Sequence, residues 1–467
     1  MLHEPASTFD ERPRVRPGAP PPATPRKSAN PLDTLNTEYL PVVSTVLAQP
    51  RALIANPDEP SVRETLLMLG PSARLVAAYE GELLKPSEEA FAALDAQLAP
   101  QDALAVFRQG PGSAVIVYIV LGRAKPRHRP LWPNALLFAL TVLSLLIVGT
   151  SIAAGELGMT SAAGADAIMN DLLPNLWRGL PYAISLLLIL GAHEMGHFFA
   201  AKAHRTSVTL PYFIPAPPFI SPIGTAGAFI QIREPIRNRR ALLDIGAAGP
   251  LAGLVVALPI LFIGLATSQL TPPAPVVLQE GNSLLYAFAK IVVFGRFVPD
   301  GQVDVMLNQL AQAAWTGLLV TALNLIPLGQ LDGGHILYSL IGDRARVLYY
   351  PLLALTVLLI FTVSEAWLLW FILLLLFGRF YAAPLDTVTR LGRRHQFIAV
   401  FSIVVFFITF VPVPFALRET AVEPLPGQTL GLLLPLALVI TQQAMRRFQS
   451  RSFTSGLLRH PRAAPRR

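Results

Sequence analysis

The chain has 467 residues, of which 53% are hydrophobic and only 14% charged, against about 25% charged in an ordinary soluble domain. With a mean hydropathy of +0.51, these numbers argue against a soluble enzyme, exclude intrinsic disorder for the bulk of the chain and indicate a polytopic membrane protein. The absence of cysteine removes disulfides, thiolate metal sites, iron–sulfur clusters and cysteine nucleophiles. The net charge of +8 reads in such a chain as basic loops beside anionic membrane lipid, with no nucleic-acid partner expected.

Residues 1–36 are polar and carry the run GAPPPATP, so they read as a disordered tail, and no apolar signal core follows the start. Residues 38–126 have the composition of a small soluble α+β domain. Within it 74–84 (RLVAAYEGELL) is strand-like, and Ser87 is placed to N-cap the helix EEAFAALDAQLA. Two further strands, 103–109 and 114–122, are split by the turn Gly110-Pro111-Gly112. One helix covering one sheet face satisfies such a unit. It contains no recognisable catalytic set, which leaves docking or regulation beside a plain appended domain.

Residues 131–442 read as a transmembrane domain. Its candidate spans are 135–154, 180–201, 245–266, 313–331, 347–363, 366–381, 397–417 and the proline-containing 425–440; the fifth and sixth lie close enough to form a helical hairpin. The expected fold is mainly α: a polytopic transmembrane helical bundle of about eight spans with a small N-terminal α+β soluble domain. With the N-terminus cytoplasmic and all eight segments crossing, basic residues crowd the inner loops (Arg123, Lys125, Arg127 and Arg129; Arg237, Arg239 and Arg240; Arg390, Arg393 and Arg394). The outer loops hold only Arg178, Lys290, Arg296 and Arg418. This follows the positive-inside rule and places the basic tail 443–467 in the cytoplasm. The expected location is a cytoplasmic (inner) membrane with both termini cytoplasmic; a plastid membrane stays open, although the first 36 residues make a weak transit peptide.

The strongest local signal is His193-Glu194-Met195-Gly196-His197, inside the second apolar span. Imidazoles at i and i+4 share a helix face and suit one Zn²⁺, and the glutamate between them lies where it can take a proton from the metal's water. Two histidines and a glutamate in an apolar span are costly unless paired or coordinated. A catalytic zinc takes a third protein ligand. His204 returns to the same helix face but sits beside Lys202 and Arg205, where it reads more readily as an interfacial histidine. Asp332 is the better candidate: an acid at membrane depth demands a partner. It lies in NLIPLGQLDGGH, where Pro327 and Gly333-Gly334 are expected to break the helix. The second and fourth spans run the same way, so both motifs fall in the cytoplasmic half. Asn324 is a candidate donor to a substrate or transition-state oxygen, beside the plainer role of a helix–helix hydrogen bond. His335 is either a supporting residue or interfacial.

HEMGH in one span and NLIPLGQLDGGH in a later one resemble the site-2 proteases, intramembrane zinc metalloproteases that cut helices within or near the bilayer. The segments SVTLPYFIPAPP, GTAGAFIQI and NRRALLDIGAAGPLAG make the chain look most like the subgroup containing the plastid ethylene-dependent gravitropism-deficient proteases and their bacterial relatives. The resemblance covers roughly 74–414. It is looser in the soluble domain, where LVAAYEGELLKPSEEAFAAL has EGELL in place of the family's glycine-rich core. The resemblance implies one Zn²⁺ per chain on His193, His197 and Asp332, with Glu194 as general base on zinc-bound water and Asn324 and Pro327 forming the NxxP element near the active site. No PDZ-sized insert is apparent between 267 and 312.

Two segments between the motifs carry readings of their own. In 224–232 small residues permit close approach and Phe229-Ile230-Gln231-Ile232 alternates like a strand, so Gly227, Ala228 and Phe229 are candidate substrate-binding residues on an edge that pairs with an unwound substrate; the competing reading is a structural hairpin. Gly246, Gly249 and Gly253 read as helix packing. The expected function is hydrolysis of peptide bonds in a transmembrane substrate protein. A transporter, or a non-proteolytic membrane protein that keeps zinc for structure, is the rival; the transporter gives no special reason for Glu194 at its spacing.

Overall fold

The computed structural model describes residues 38–54, 60–123, 130–158, 161–272, 276–300 and 302–419. The tail 1–36, the eighth candidate span and the segment 443–467 lie outside the described residues. Helices of ten or more residues are numbered α1 to α11.

The N-terminal sheet region is built from apolar strands. Leu47–Leu53 (β1), Arg74–Leu83 (β2), Ala103–Gln109 (β3) and Val115–Leu121 (β4) form an antiparallel sheet in the order β1-β2-β4-β3. Pro60–Leu69 is α1. Ser87–Leu98 (α2) buries Ala90, Phe91, Leu94 and Leu98 along one face, and Phe91 meets Phe107 edge-on at 5.5 Å between centroids. The sequence did not mark β1: it holds Pro50, and its register on β2 slips between Ala48 and Arg51, so no clean alternation is visible. Ser87 is not the N-cap. Pro86 takes that position with no side-chain cap bond, and Ser87 Oγ lies 3.1 Å from Thr389 Oγ1.

The rest is helical. The longer elements are Trp132–Gly158 (α3), Leu180–Ala203 (α4), Arg239–Ala266 (α5), Leu284–Phe294 (α6), Gln309–Asn324 (α7), Asp332–Ile341 (α8), Tyr349–Thr362 (α9), Trp367–Phe377 (α10) and Arg393–Thr409 (α11). A β-hairpin of Tyr212–Pro215 (β5) and Thr225–Phe229 (β6) joins α4 to α5. Four helical stretches are long and apolar enough to cross a membrane: Trp132–Gly158, Leu172–Ala203, Arg239–Ala266 and Asp332–Thr362. The expected count of eight is therefore not reached among the described residues. The candidate 313–331 becomes α7, which stops at Asn324 before Pro327, as the residue environment of a proline favours. α10 has 11 residues and α11 has 17. α9 and α10 pack on each other as the expected hairpin.

The N-terminal sheet region is stitched to the helices by a strand-like segment. Phe107 on the edge strand β3 exchanges backbone bonds with it: Phe107 N–H donates to the Leu385 carbonyl at 2.8 Å and Thr387 N–H to the Phe107 carbonyl at 3.2 Å. On the other side Leu385 and Asp386 donate to the carbonyls of Ile236 and Arg237, both at 2.8 Å. Buried Arg108 donates through Nη1 to the carbonyls of Pro384 at 3.0 Å and Leu385 at 2.8 Å. Glu88 on α2 accepts from Arg240 Nη1 at 2.5 Å and from Asn238 Nδ2 at 3.2 Å. Asp386 is fully buried and burial pushes its carboxyl above the usual range, while the amides of Val388 and Thr389 bond it in its charged form.

Candidate metal centre

The HEMGH helix is apolar on nearly every side, so its polar face is set by what packs there. α4 crosses α5 closely at glycines. A Cβ at Gly196 would stand 2.5 Å from the Ala248 carbonyl oxygen, one at Gly249 would run into the His197 ring, and one at Gly253 would lie 3.2 Å from His193 Cβ. The small-residue stripe thus does the helix packing expected of it, and the groove it lines holds the two imidazoles. His193, Glu194 and His197 are all buried.

Asp332 arrives from a different part of the chain. The loop 325–331 follows α7, and α8 begins at Asp332. Gly333 and Gly334 do not break a helix here. They lie in the first turn of α8, where a Cβ on either would collide with loop carbonyls, those of Leu325 and Gly329 respectively. This close approach delivers the carboxylate to the histidines. Asp332 Oδ2 lies 3.3 Å from His193 Nε2 and 3.2 Å from His197 Nε2, and the two Nε2 atoms are 3.1 Å apart. The three ligand atoms all fall within 4.8 Å of one another, the one such group among the described residues.

The donor set fits a divalent metal of the zinc type: two imidazole nitrogens and a carboxylate oxygen at separations that bonds of about 2 Å to a shared ion would give. His197 Nδ1–H donates to the Ile245 carbonyl at 2.6 Å, which leaves the Nε2 lone pair for a ligand bond. Asn324, at the end of α7, places Nδ2 3.3 Å from His193 Nε2, so it lies at the centre. The Ile230 backbone, just past β6, lies beside the Glu194 side chain. The extended segment after HEMGH therefore touches the catalytic candidate itself.

The other candidate residues fall as follows. Gly227 has φ +90° and open space where a Cβ would be. Ala228 pairs with Phe213, and Phe229 stacks on Tyr212 at 5.4 Å. Among the described residues this sheet has two strands, so the second edge of β6 has no strand partner. His204 is not at the centre; its Nε2 lies 2.8 Å from Asp244 Oδ2, which His395 Nε2 also approaches at 3.6 Å. His335 sits on α8 against Gly246. Sequence reasoning did not find Ile230 or Ile245, because both act through the backbone and leave no side-chain signature.

Residues 181–363 match the profile of Peptidase family M50. This stretch is thus similar to Peptidase family M50, in agreement with the site-2 protease resemblance of the motifs. The match opens at the start of α4 and closes just past α9, so it encloses all three ligand candidates. Among relatives, "Probable zinc metalloprotease EGY2, chloroplastic" of Arabidopsis thaliana is 30% identical over 286 residues, 56% of this chain and 49% of that protein. "Probable zinc metalloprotease EGY1, chloroplastic" of the same plant is 27% identical over 372 residues, 72% of this chain and 66% of that protein. The EGY1 protein of Oryza sativa subsp. japonica is 31% identical over 239 residues, 48% and 40% respectively. The chain thus spans from 40 to 66% of the length of these relatives. No solved structure matches it.

Proposed function

We propose that the protein is an intramembrane zinc metalloprotease that hydrolyses peptide bonds of membrane-embedded substrate proteins. The observation that carries this reading is the meeting of His193, His197 and Asp332, from two distant motifs, in one group able to hold a metal ion. The M50 match and the zinc metalloprotease relatives support it. One zinc per chain, held by these three residues, would supply a water of pKa about 7 and a Lewis acid toward the substrate carbonyl.

The chain's own residues have separate tasks. Glu194 accepts the proton of the attacking water and later delivers it to the leaving amine. It is buried beside the Ile230 backbone, which restricts the directions its carboxylate can take. Asn324 offers its amide N–H groups to the carbonyl oxygen where charge develops. Gly227, Ala228 and Phe229 present the open edge of β6 to a locally unwound substrate, which gains backbone bonds there in place of its helical ones.

The topology belongs to the same reading. Residues 131–442 form the membrane domain with about eight crossings; 38–126 form the soluble domain, which docks on the inner face. Both termini face the cytoplasm of an inner membrane, or the equivalent face of a plastid membrane, and the partners are a transmembrane substrate protein and membrane lipid, with no nucleic acid. The deciding experiment compares wild type with Glu194→Gln in detergent, using a panel of transmembrane reporter helices and zinc analysis. The variant is expected to keep its zinc and to lose cleavage by about 10²-fold or more. Unchanged cleavage in Glu194→Gln would overturn the assignment.

A further inference from the structure

α5 touches both halves of the metal centre. On the histidine side its Ile245 carbonyl holds His197 Nδ1 at 2.6 Å, and Gly249 and Gly253 lie against the two rings. On the aspartate side a Cβ at Gly246 would lie 3.2 Å from the Asp332 carbonyl oxygen and 3.0 Å from His335 Cβ. Two turns before Gly246, Arg239 donates to the Ser339 carbonyl from Nε at 2.8 Å and from Nη2 at 2.5 Å, and to the Leu340 carbonyl from Nη2 at 3.0 Å. Ser339 and Leu340 lie at the far end of α8, whose first residue is Asp332.

The two helices are thus antiparallel and pinned at both ends, by the glycine contact beside Asp332 and by the guanidinium fork at the opposite end. The pin has a physical reason. The last carbonyls of a helix have no intrahelical partner, and a cation is favoured at the negative end of the helix dipole. Arg239 satisfies two of those carbonyls with one planar group. α8 has 10 residues and its entry is a non-helical loop, so a freed far end lets it pivot about Gly246 and swing the carboxylate relative to the imidazoles. Asn238, immediately before the clamp, accepts Ala241 N–H as the N-cap of α5 and donates to Glu88 of the soluble domain.

We infer that Arg239 is a positioning residue of the metal centre: it sets the reach of Asp332 to His193 and His197 by fixing the far end of α8 to α5. The inference rests on the metalloprotease reading of the site. Its test uses the full chain in detergent and reads zinc affinity by chelator competition, with the visible spectrum of the Co²⁺-loaded protein as a second readout. Arg239→Ala is expected to bind zinc about tenfold or more weakly and to lose intensity in the tetrahedral Co²⁺ bands. Arg239→Gln, which keeps the stem and loses the cation and the fork, is expected to act in the same direction and stands in if the alanine variant does not fold. Added to Asp332→Ala, whose residual weak metal affinity rests on the two histidines alone and is read by titration with Co²⁺, the Arg239→Ala change is expected to cost nothing further, because the ligand it positions is gone. Wild-type affinity and spectrum in both Arg239 variants would overturn the inference. So would an equal loss in the Asp332→Ala background, which would mark general loosening. A wild-type protein that binds no metal fails differently: it removes the metalloprotease reading, and this inference with it.

Discussion

A methyl group on Gly249 would occupy the space that the His197 ring fills. Gly249→Ala is therefore expected to displace the imidazole, lower stability by about 1–3 kcal/mol and strip zinc from the purified protein. Gly191→Ala is the control on the neighbouring helix, since nothing lies within 4 Å of a Cβ there; it is expected to keep wild-type zinc and melting temperature. Full zinc occupancy in Gly249→Ala would show that the groove yields more than its geometry suggests. At this scale the sequence was most legible where charge stood inside apolar segments. His193, Glu194, His197 and Asp332 each needed a partner, and the shortage of partners pointed them at one another. Ile230, Ile245 and Arg239 left no such trace. The first two act through the backbone, and an arginine at a helix start looks like any basic loop residue.

Elements were legible as far as their patterns were clean. β2, β3 and β4 are apolar runs bounded by turn signals and α2 repeats at helical spacing, and they lie close to where 74–84, 103–109, 114–122 and the helix 88–99 were expected. Hydropathy overran α7, because Leu325, Ile326 and Leu328 are buried in a loop instead of a helix, and both loop and helix read as apolar. The segment after β6 has the most direct functional consequence. Ile230→Pro removes the backbone N–H beside Glu194 and fixes φ just past β6. The expected result is zinc retained and cleavage reduced by about 10- to 100-fold. Cleavage at the wild-type rate, measured on the same reporter, would place the substrate elsewhere and leave the hairpin a structural plug.

The molecule as a whole is held by a device that no local pattern announces. The segment 385–387 bridges the edge of the N-terminal sheet to 236–238, and neither neighbour is near it in sequence. Arg108 secures this bridge with charge-assisted bonds to carbonyls from inside the sheet, each worth about 1.5–3 kcal/mol. Arg108→Ala is expected to raise hydrogen exchange at 236–238 and 385–387 together, with exchange in α4 unchanged. A rise confined to the soluble sheet would mean that the bridge does not depend on this arginine.

Metal analysis of the detergent-purified protein shows whether the two distant motifs build one metal site. One zinc per chain is expected in the wild type, lost in His193→Ala and equally in Asp332→Ala. Zinc lost in His193→Ala but retained in Asp332→Ala would contradict it, because the carboxylate that the fold brings to 3.3 Å and 3.2 Å from the two imidazoles would then hold no metal.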